Sequence, residues 1–283
     1  MNEGMKKFLI VLQIVALLSL CAACSGNEDN TDEIRVDSVG VLVIREPLVD
    51  VDYETRAKSL EEVGLKEVWL FEGHDVIAHQ RMGDDGFGSI EVEMRYGRHD
   101  LCLVASSADG QGWNEDEWVC ERVKETFGKC VEVDVRGGEL NNVDVLLKRR
   151  TAKVMWTVED VIPDDVQKVK VWVETCHGIA AGMIGTGKDV YRNEADVTEK
   201  VGSVGYSPSV VVMTEKVDDV ENVKACIEFV GKSGETVVKY EDEVPVKSNR
   251  VTNVHGRFFS DGGMVVVTVD DEWEEQEDVG LFE

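Results

Sequence analysis

Apolar residues in this chain recur at every second position. Ile90, Val92 and Met94 alternate with Glu91, Glu93 and Arg95, and Val131, Val133 and Val135 alternate with Glu132 and Asp134. Val169, Val171 and Val173 repeat the pattern. Successive side chains of an extended strand point to opposite faces, so period two buries one face of a sheet and wets the other. Further β-rich runs cover residues 39–44, 67–71, 76–78, 101–105, 143–147, 152–158, 210–213, 225–230, 236–240 and 264–269. Valine is abundant and proline scarce, which suits paired strands. One helical turn is expected at Ser59-Leu60-Glu61-Glu62, which has capping-box spacing. The segments 83–88, 106–117 and 178–205 are rich in Gly, Ser and Asp and predict loops. Short strands separated by turns predict an all-β protein built as two tandem sandwiches. Trp69, Trp156 and Trp172 fall inside strand patterns and are expected in the core.

The N-terminus has a different grammar. Lys6 and Lys7 precede an apolar run over residues 8–23, broken by Gln13 and Ser19; then come Ala22-Ala23-Cys24 and an abruptly polar, acidic stretch. Charged start, apolar middle and small residues before a cut site are the parts of a secretory signal, whether translation starts at Met1 or Met5. A run this short falls below the roughly 20 residues that cross a bilayer. The cysteine resembles the acylated residue of a bacterial lipoprotein, which makes Cys24 the expected lipid attachment. The chain then divides into a signal peptide (1–23), an acidic tether (24–37), an N-terminal sandwich (38–148), a C-terminal sandwich (149–273) and an acidic tail (274–283). The formal net charge of −27 leaves no electrostatic route to a nucleic-acid backbone. At a membrane, lipid rather than basic residues must do the holding.

Motifs for chemistry are scarce. Gly182-Met183-Ile184-Gly185-Thr186-Gly187-Lys188 satisfies the glycine and lysine positions of a phosphate-cradling loop, but Asp189 stands where Ser or Thr should hold magnesium. A surface loop is the expected reading. His74, His79, His99, His177 and His255 form no zinc motif, and Cys176 and His177 would point to opposite faces of a strand. No cofactor, metal or catalytic residue is expected, and the chain reads as a non-enzyme. Of the seven cysteines, Cys102, Cys120, Cys130, Cys176 and Cys226 would remain in the body. Buried single thiols are expected, with Cys120 and Cys130 the best candidate pair. Trp113, in a polar loop with Trp118 close by, is a candidate aromatic for stacking on a sugar, although packing that anchors the loop explains it as well.

Several stretches resemble one family. They are Val68-Trp69-Leu70-Phe71-Glu72-Gly73, then Met94-Arg95-Tyr96-Gly97-Arg98-His99-Asp100-Leu101, then Leu146-Leu147-Lys148-Arg149-Arg150-Thr151-Ala152-Lys153-Val154, and finally the segment from Val244 through Asn249 to Gly256. With the lipoprotein start, the chain resembles the fimbrillin-like surface lipoproteins of Bacteroidetes, which include pilus anchors, shafts and tips. The resemblance implies two tandem transthyretin-like (Greek-key) β-sandwiches, no catalysis, an outer-membrane or fimbrial location, and fimbrial partners joined by strand exchange. It further implies that in shaft subunits a protease cuts after an arginine beyond the first strand, a role open here to Arg45 or Arg56; an anchor stays uncut. Leu281-Phe282 in the acidic tail makes a poor donor strand, which favours an anchor or accessory subunit. The alternative expectation is an outer-membrane lipoprotein that captures host or microbial glycans through Trp113.

Overall fold

The computed structural model describes residues 39–45, 47–50, 57–260 and 264–270, all within one compact unit. Cys24, Arg56, the signal segment, the tether and the acidic tail lie outside the described residues. The first half runs β1 (Val39–Ile44), β2 (Leu48–Asp50), β3 (Glu67–Glu72), β4 (Asp75–Arg81), β5 (Ile90–Arg95), β6 (Gly97–Ser106), β7 (Gly112–Asn114), β8 (Glu117–Val119), β9 (Thr126–Val135), β10 (Leu140–Val143) and β11 (Leu146–Arg149). The second half runs β12 (Thr151–Val158), β13 (Val166–Thr175), β14 (Gly178–Ala180), β15 (Ile184–Thr186), β16 (Asp189–Asp196), β17 (Ser209–Met213), β18 (Glu221–Gly231), β19 (Thr236–Val246), β20 (Val251–Gly256) and β21 (Val265–Asp270). The protein is all-β, as the period-two pattern predicts.

Two sandwiches follow from two separate apolar cores. In the first, a three-stranded sheet ordered β10-β1-β5 and a six-stranded sheet ordered β2-β11-β9-β6-β3-β4 enclose Leu42, Ile44, Val68, Leu70, Leu101, Leu103, Phe127 and Val135. In the second, β17-β12-β20-β21 and β16-β13-β18-β19 enclose Val154, Trp156, Val158, Val169, Val171, Val173, Ile227 and Phe229. Burial of this kind contributes about 1.5–3 kcal/mol per large side chain. Trp172 corrects an expectation. It occupies the position between inward Val171 and Val173, so the pleat turns it to the outer face, where it is half-buried.

The halves repeat one strand order. β1 lies between parallel β10 and antiparallel β5, as β12 lies between parallel β20 and antiparallel β17. Opposite them, β9-β6-β3-β4 corresponds to β19-β18-β13-β16. The eighth strand differs. After β10 the chain crosses to the other sheet and pairs β11 with β9, whereas after β20 it turns back and pairs β21 with β20.

A third core welds the halves together. β7 and β8 from the first half continue through β14 and β15 of the second as one sheet ordered β15-β14-β8-β7, with Gly178 opposite Val119 and Ile179 opposite Trp118. Beneath it Trp69, Phe71, Val104 and Trp118 pack with Cys176, Ile179, Met183 and Met213. Trp118 is therefore fully buried in the junction and is not a surface aromatic. Arg150 is fully buried beside it, and its Nη2 donates to the Met183 carbonyl at 2.7 Å. Burial pulls the guanidinium down to about 10, so it stays charged at neutral pH. The junction corrects two loop readings. Segment 106–117 contains β7 and the start of β8, and segment 178–205 contains β14, β15 and the long edge strand β16. Its glycine-rich 182–188 part turns at Gly182 and Met183, with φ of 76° and 61°, to bury Met183 in the junction.

The cysteine reading also changes. Cys102 and Cys130 form a disulfide, whereas Cys120 is a buried free thiol. The cause is register: β6 and β9 pair antiparallel with Cys102 directly opposite Cys130, their Cα atoms 4.0 Å apart. Cys120 lies instead at the end of β8, donating its backbone N–H to the His177 carbonyl. The capping box at Ser59 does form. Ser59 N–H donates to the Glu62 carboxylate at 2.8 Å, and Glu62 N–H donates to Ser59 Oγ at 3.3 Å.

Candidate functional site

The first strand and the residues just after it form one candidate site. β1 is the middle strand of its sheet, in register from Val41 opposite Leu140 to Ile44 opposite Val143 on one side. On the other side it runs from Val39 opposite Arg95 to Ile44 opposite Ile90. Leu42 and Ile44 point inward and are fully buried. Gly40 lies on the same face, and a Cβ there would collide with the Arg136 carbonyl oxygen and with Val135 and Asn141. Arg45 follows at once and is exposed. There the chain leaves one sheet for the other and resumes as β2, parallel to β11, with Leu48 N–H donating to the Val145 carbonyl at 3.0 Å. An open groove of about 730 Å³ marks the crossing, lined by Arg45, Leu48, Ser89, Asp144, Val145 and Leu146. Leu48 and Leu146 are both exposed within it. Arg45 is thus an exposed residue on the seam between the sheets, directly after a strand held by two neighbours.

The β7–β8 hairpin forms the other candidate. Trp113 stands opposite Trp118 in the hairpin register. It is half-buried, its ring 5.1 Å from Phe71 and 6.4 Å from Trp69, nearly parallel to the latter. Its Nε1 donates to the Glu115 carbonyl at 3.2 Å. The hairpin turn is joined to the β3–β4 turn by His74 Nδ1 and Asp116 Oδ2 at 3.1 Å, both side chains well exposed. His79 stacks on Trp69 with ring centroids 3.6 Å apart, and its Nε2 lies 2.7 Å from Glu67 Oε2. Sequence reasoning singled out Trp113 but missed His74 and Asp116. They are 42 positions apart in sequence, and only the docking of two hairpins brings them together.

Elsewhere the chemistry is quiet. Burial pushes the Cys120 thiol up to about 12, with the Asp109 charge adding to it. Burial likewise pushes Cys176 and Cys226 up to about 11. All three stay protonated at neutral pH, and a thiol is a weak nucleophile compared with a thiolate. Among the described residues, no three His, Cys, Asp or Glu side chains lie close enough to hold a metal ion. His99 is displaced from its ordinary value of 6.5. Burial alone would lower it, but its hydrogen bonds to Glu72 and to the Arg95 carbonyl, together with the Glu72 charge, outweigh that and raise it.

No protein-family model and no curated protein matches the sequence. Solved structures do match. A candidate adhesin from Bacteroides ovatus superposes with a TM-score of 0.52 at 13% identity, over 83% of this chain and 95% of its own. A candidate polysaccharide-binding protein from Bacteroides thetaiotaomicron gives 0.51 at 14% identity, over 83% and 99%. The fimbrial anchor protein Mfa2 from Porphyromonas gingivalis gives 0.50 at 9% identity, over 82% and 97%. This chain has their fold. Identity this low carries the backbone arrangement and nothing finer. The shared fold extends well beyond the length of one sandwich, so the two-sandwich arrangement itself is what these proteins have in common.

Proposed function

We propose that this protein is a surface-exposed lipoprotein of the fimbrial type, an anchor or accessory subunit in cell adhesion, held to the outer membrane through acylated Cys24. Its body is taken as two domains, 38–148 and 149–273, between the tether and the acidic tail. The observation that carries the reading is the placement of β1: a central strand with two fully buried side chains, Leu42 and Ile44, ending at exposed Arg45 on the seam between sheets. Losing such a strand leaves two unsatisfied edges, β5 and β10, that an extended segment of another subunit can pair with by β-augmentation. Retention of β1 makes an anchored subunit; cleavage after Arg45, or after Arg56, makes a polymer subunit. The similarity in fold to a fimbrial anchor and to candidate adhesins supports this reading, and the name of the Bacteroides thetaiotaomicron protein supports a sugar as the adhesive partner.

Mass spectrometry of the mature N-terminus on cells tests the proposal. An acylated Cys24 means an anchored protein, and a start at Glu46 or Ala57 means a processed subunit. Cys24→Ala is expected to release the protein from membranes, and unchanged retention of that variant would refute lipid anchoring. Recovery of this protein in SDS-resistant, heat-sensitive ladders would support strand exchange; a monomer under every condition tested would count against it.

A further inference from the structure

We infer that the tip of the β7–β8 hairpin is a binding site for neutral carbohydrate, with Trp113 as the stacking face and the Asp116–His74 pair as its polar partner. The inference names the adhesive ligand and rests on the proposal above only for display at the cell surface. Three observations carry it.

First, Trp113 is preorganised. Its ring is backed by Phe71 and by Trp69, both buried, and its Nε1 is bonded to the hairpin's own Glu115 carbonyl. A half-buried indole fixed in this way loses little freedom when the apolar C–H face of a pyranose ring settles on it, so the stacking energy is not spent on ordering the side chain.

Second, hydrogen-bonding groups stand in the same hairpin. Asp116 follows Trp113 by three positions and meets His74 from the β3–β4 turn at 3.1 Å, with both side chains well exposed. A carboxylate accepts two hydroxyl hydrogens and an imidazole supplies a donor. That is the complement of vicinal sugar hydroxyls, and neither group is committed elsewhere to holding the core.

Third, charge selects the class of sugar. Residues 112–119 contain Glu115, Asp116 and Glu117 and no lysine or arginine, on a chain of net charge −27. An anionic polysaccharide carrying sulfate, sialate or uronate would approach against that field, whereas a neutral chain would not.

The test is calorimetric titration of the purified protein with maltohexaose, cellohexaose, mannohexaose and a β-galactan hexamer, with heparin as the anionic probe. The expected result is saturable binding of at least one neutral oligosaccharide and none of heparin. Trp113→Ala should weaken that binding by about tenfold or more, and Trp113→Phe, which keeps an aromatic face, by only about threefold. Because Trp113→Ala also removes packing against Phe71, Asp116→Asn provides an arm that leaves the hydrophobic contacts in place. It should weaken the neutral sugar several-fold while the thermal midpoint stays unchanged. Failure of all four neutral probes to bind, equal binding by wild type and by both Trp113→Ala and Asp116→Asn, or preference for heparin would each overturn the inference. Membrane retention and ladder formation do not depend on this hairpin, so its failure would leave the fimbrial reading standing.

Discussion

In the N-terminal sandwich the chain leaves β10, crosses to the opposite sheet and adds β11 to β9; in the C-terminal sandwich it leaves β20, turns back and adds β21 to β20. The strands that begin the halves differ in the same sense. β12 contributes Ala152, Val154, Trp156 and Val158, all fully buried, and is preceded by Arg150 buried in the junction. β1 contributes Leu42 and Ile44 to its core and is followed by exposed Arg45. One strand order thus carries two different edges. The C-terminal sandwich covers the edge of β20 and ties its first strand to the junction. The N-terminal sandwich leaves β10 at the edge of its sheet and inserts a first strand with fewer anchors. A disulfide, Cys102–Cys130, braces the sheet opposite that strand, so this face can stay whole if the other is remodelled.

Four measurements test this contrast. The largest expected effect is Trp156→Ala, which removes the bulkiest side chain of the C-terminal core and should cost about 3–5 kcal/mol. Denaturant midpoints read it, and a smaller loss than Leu42→Ala causes would overturn the claim that β12 is the more firmly anchored strand. Next, replacing Cys102 and Cys130 together with serine should cost about 2–4 kcal/mol. Hydrogen exchange should show the added opening in β6 and β9; equal opening in β13 and β18 would mean that the halves share stability throughout. Gly40→Ala comes third, at about 1–3 kcal/mol, because its Cβ has no room against the Arg136 carbonyl. It should make cleavage after Arg45 by trypsin faster, and an unchanged rate would show that β1 is not what protects that bond.

The smallest effect concerns pH. The folded pKa of His99 lies above its ordinary value of 6.5, so its stabilising contribution is fully present below 6.5 and is lost as pH rises through the raised value. Melting temperature should therefore fall over that window by an amount that Glu72→Gln abolishes. A wild-type and a Glu72→Gln curve of the same shape would show that the pair contributes nothing.

Much of the architecture was legible from alternation alone, because a strand buried on one face must repeat every two residues. That rule located β5, the later part of β9, and β13, and the Ser59–Glu62 spacing located a capped turn that the structure contains. It failed where strands are too short to show a period, since β7, β8, β14 and β15 have three residues each; it also failed at β16, an eight-residue edge strand with no fully buried position to mark a face. Hydrophobicity, not alternation, misplaced Trp172: its position between inward Val171 and Val173 turns it to the outer face. Of the candidate site residues, Trp113 was visible as an aromatic in a polar stretch, and Arg45 as a basic residue after a strand. Their surroundings were not.

The division has a physical cause. What is local could be read along the chain: the β class from its period, the strong acidity from composition, and the phase of most long strands. Tertiary structure decided what depends on register and docking. It paired Cys102 with Cys130 and not with Cys120, buried Trp118 and Arg150 between the sandwiches, and set His74 against Asp116. It also placed β1 in the middle of its sheet, between strands from distant parts of the chain. Register shifted by one position would reverse every face, and no single stretch of sequence states which strand lies opposite which.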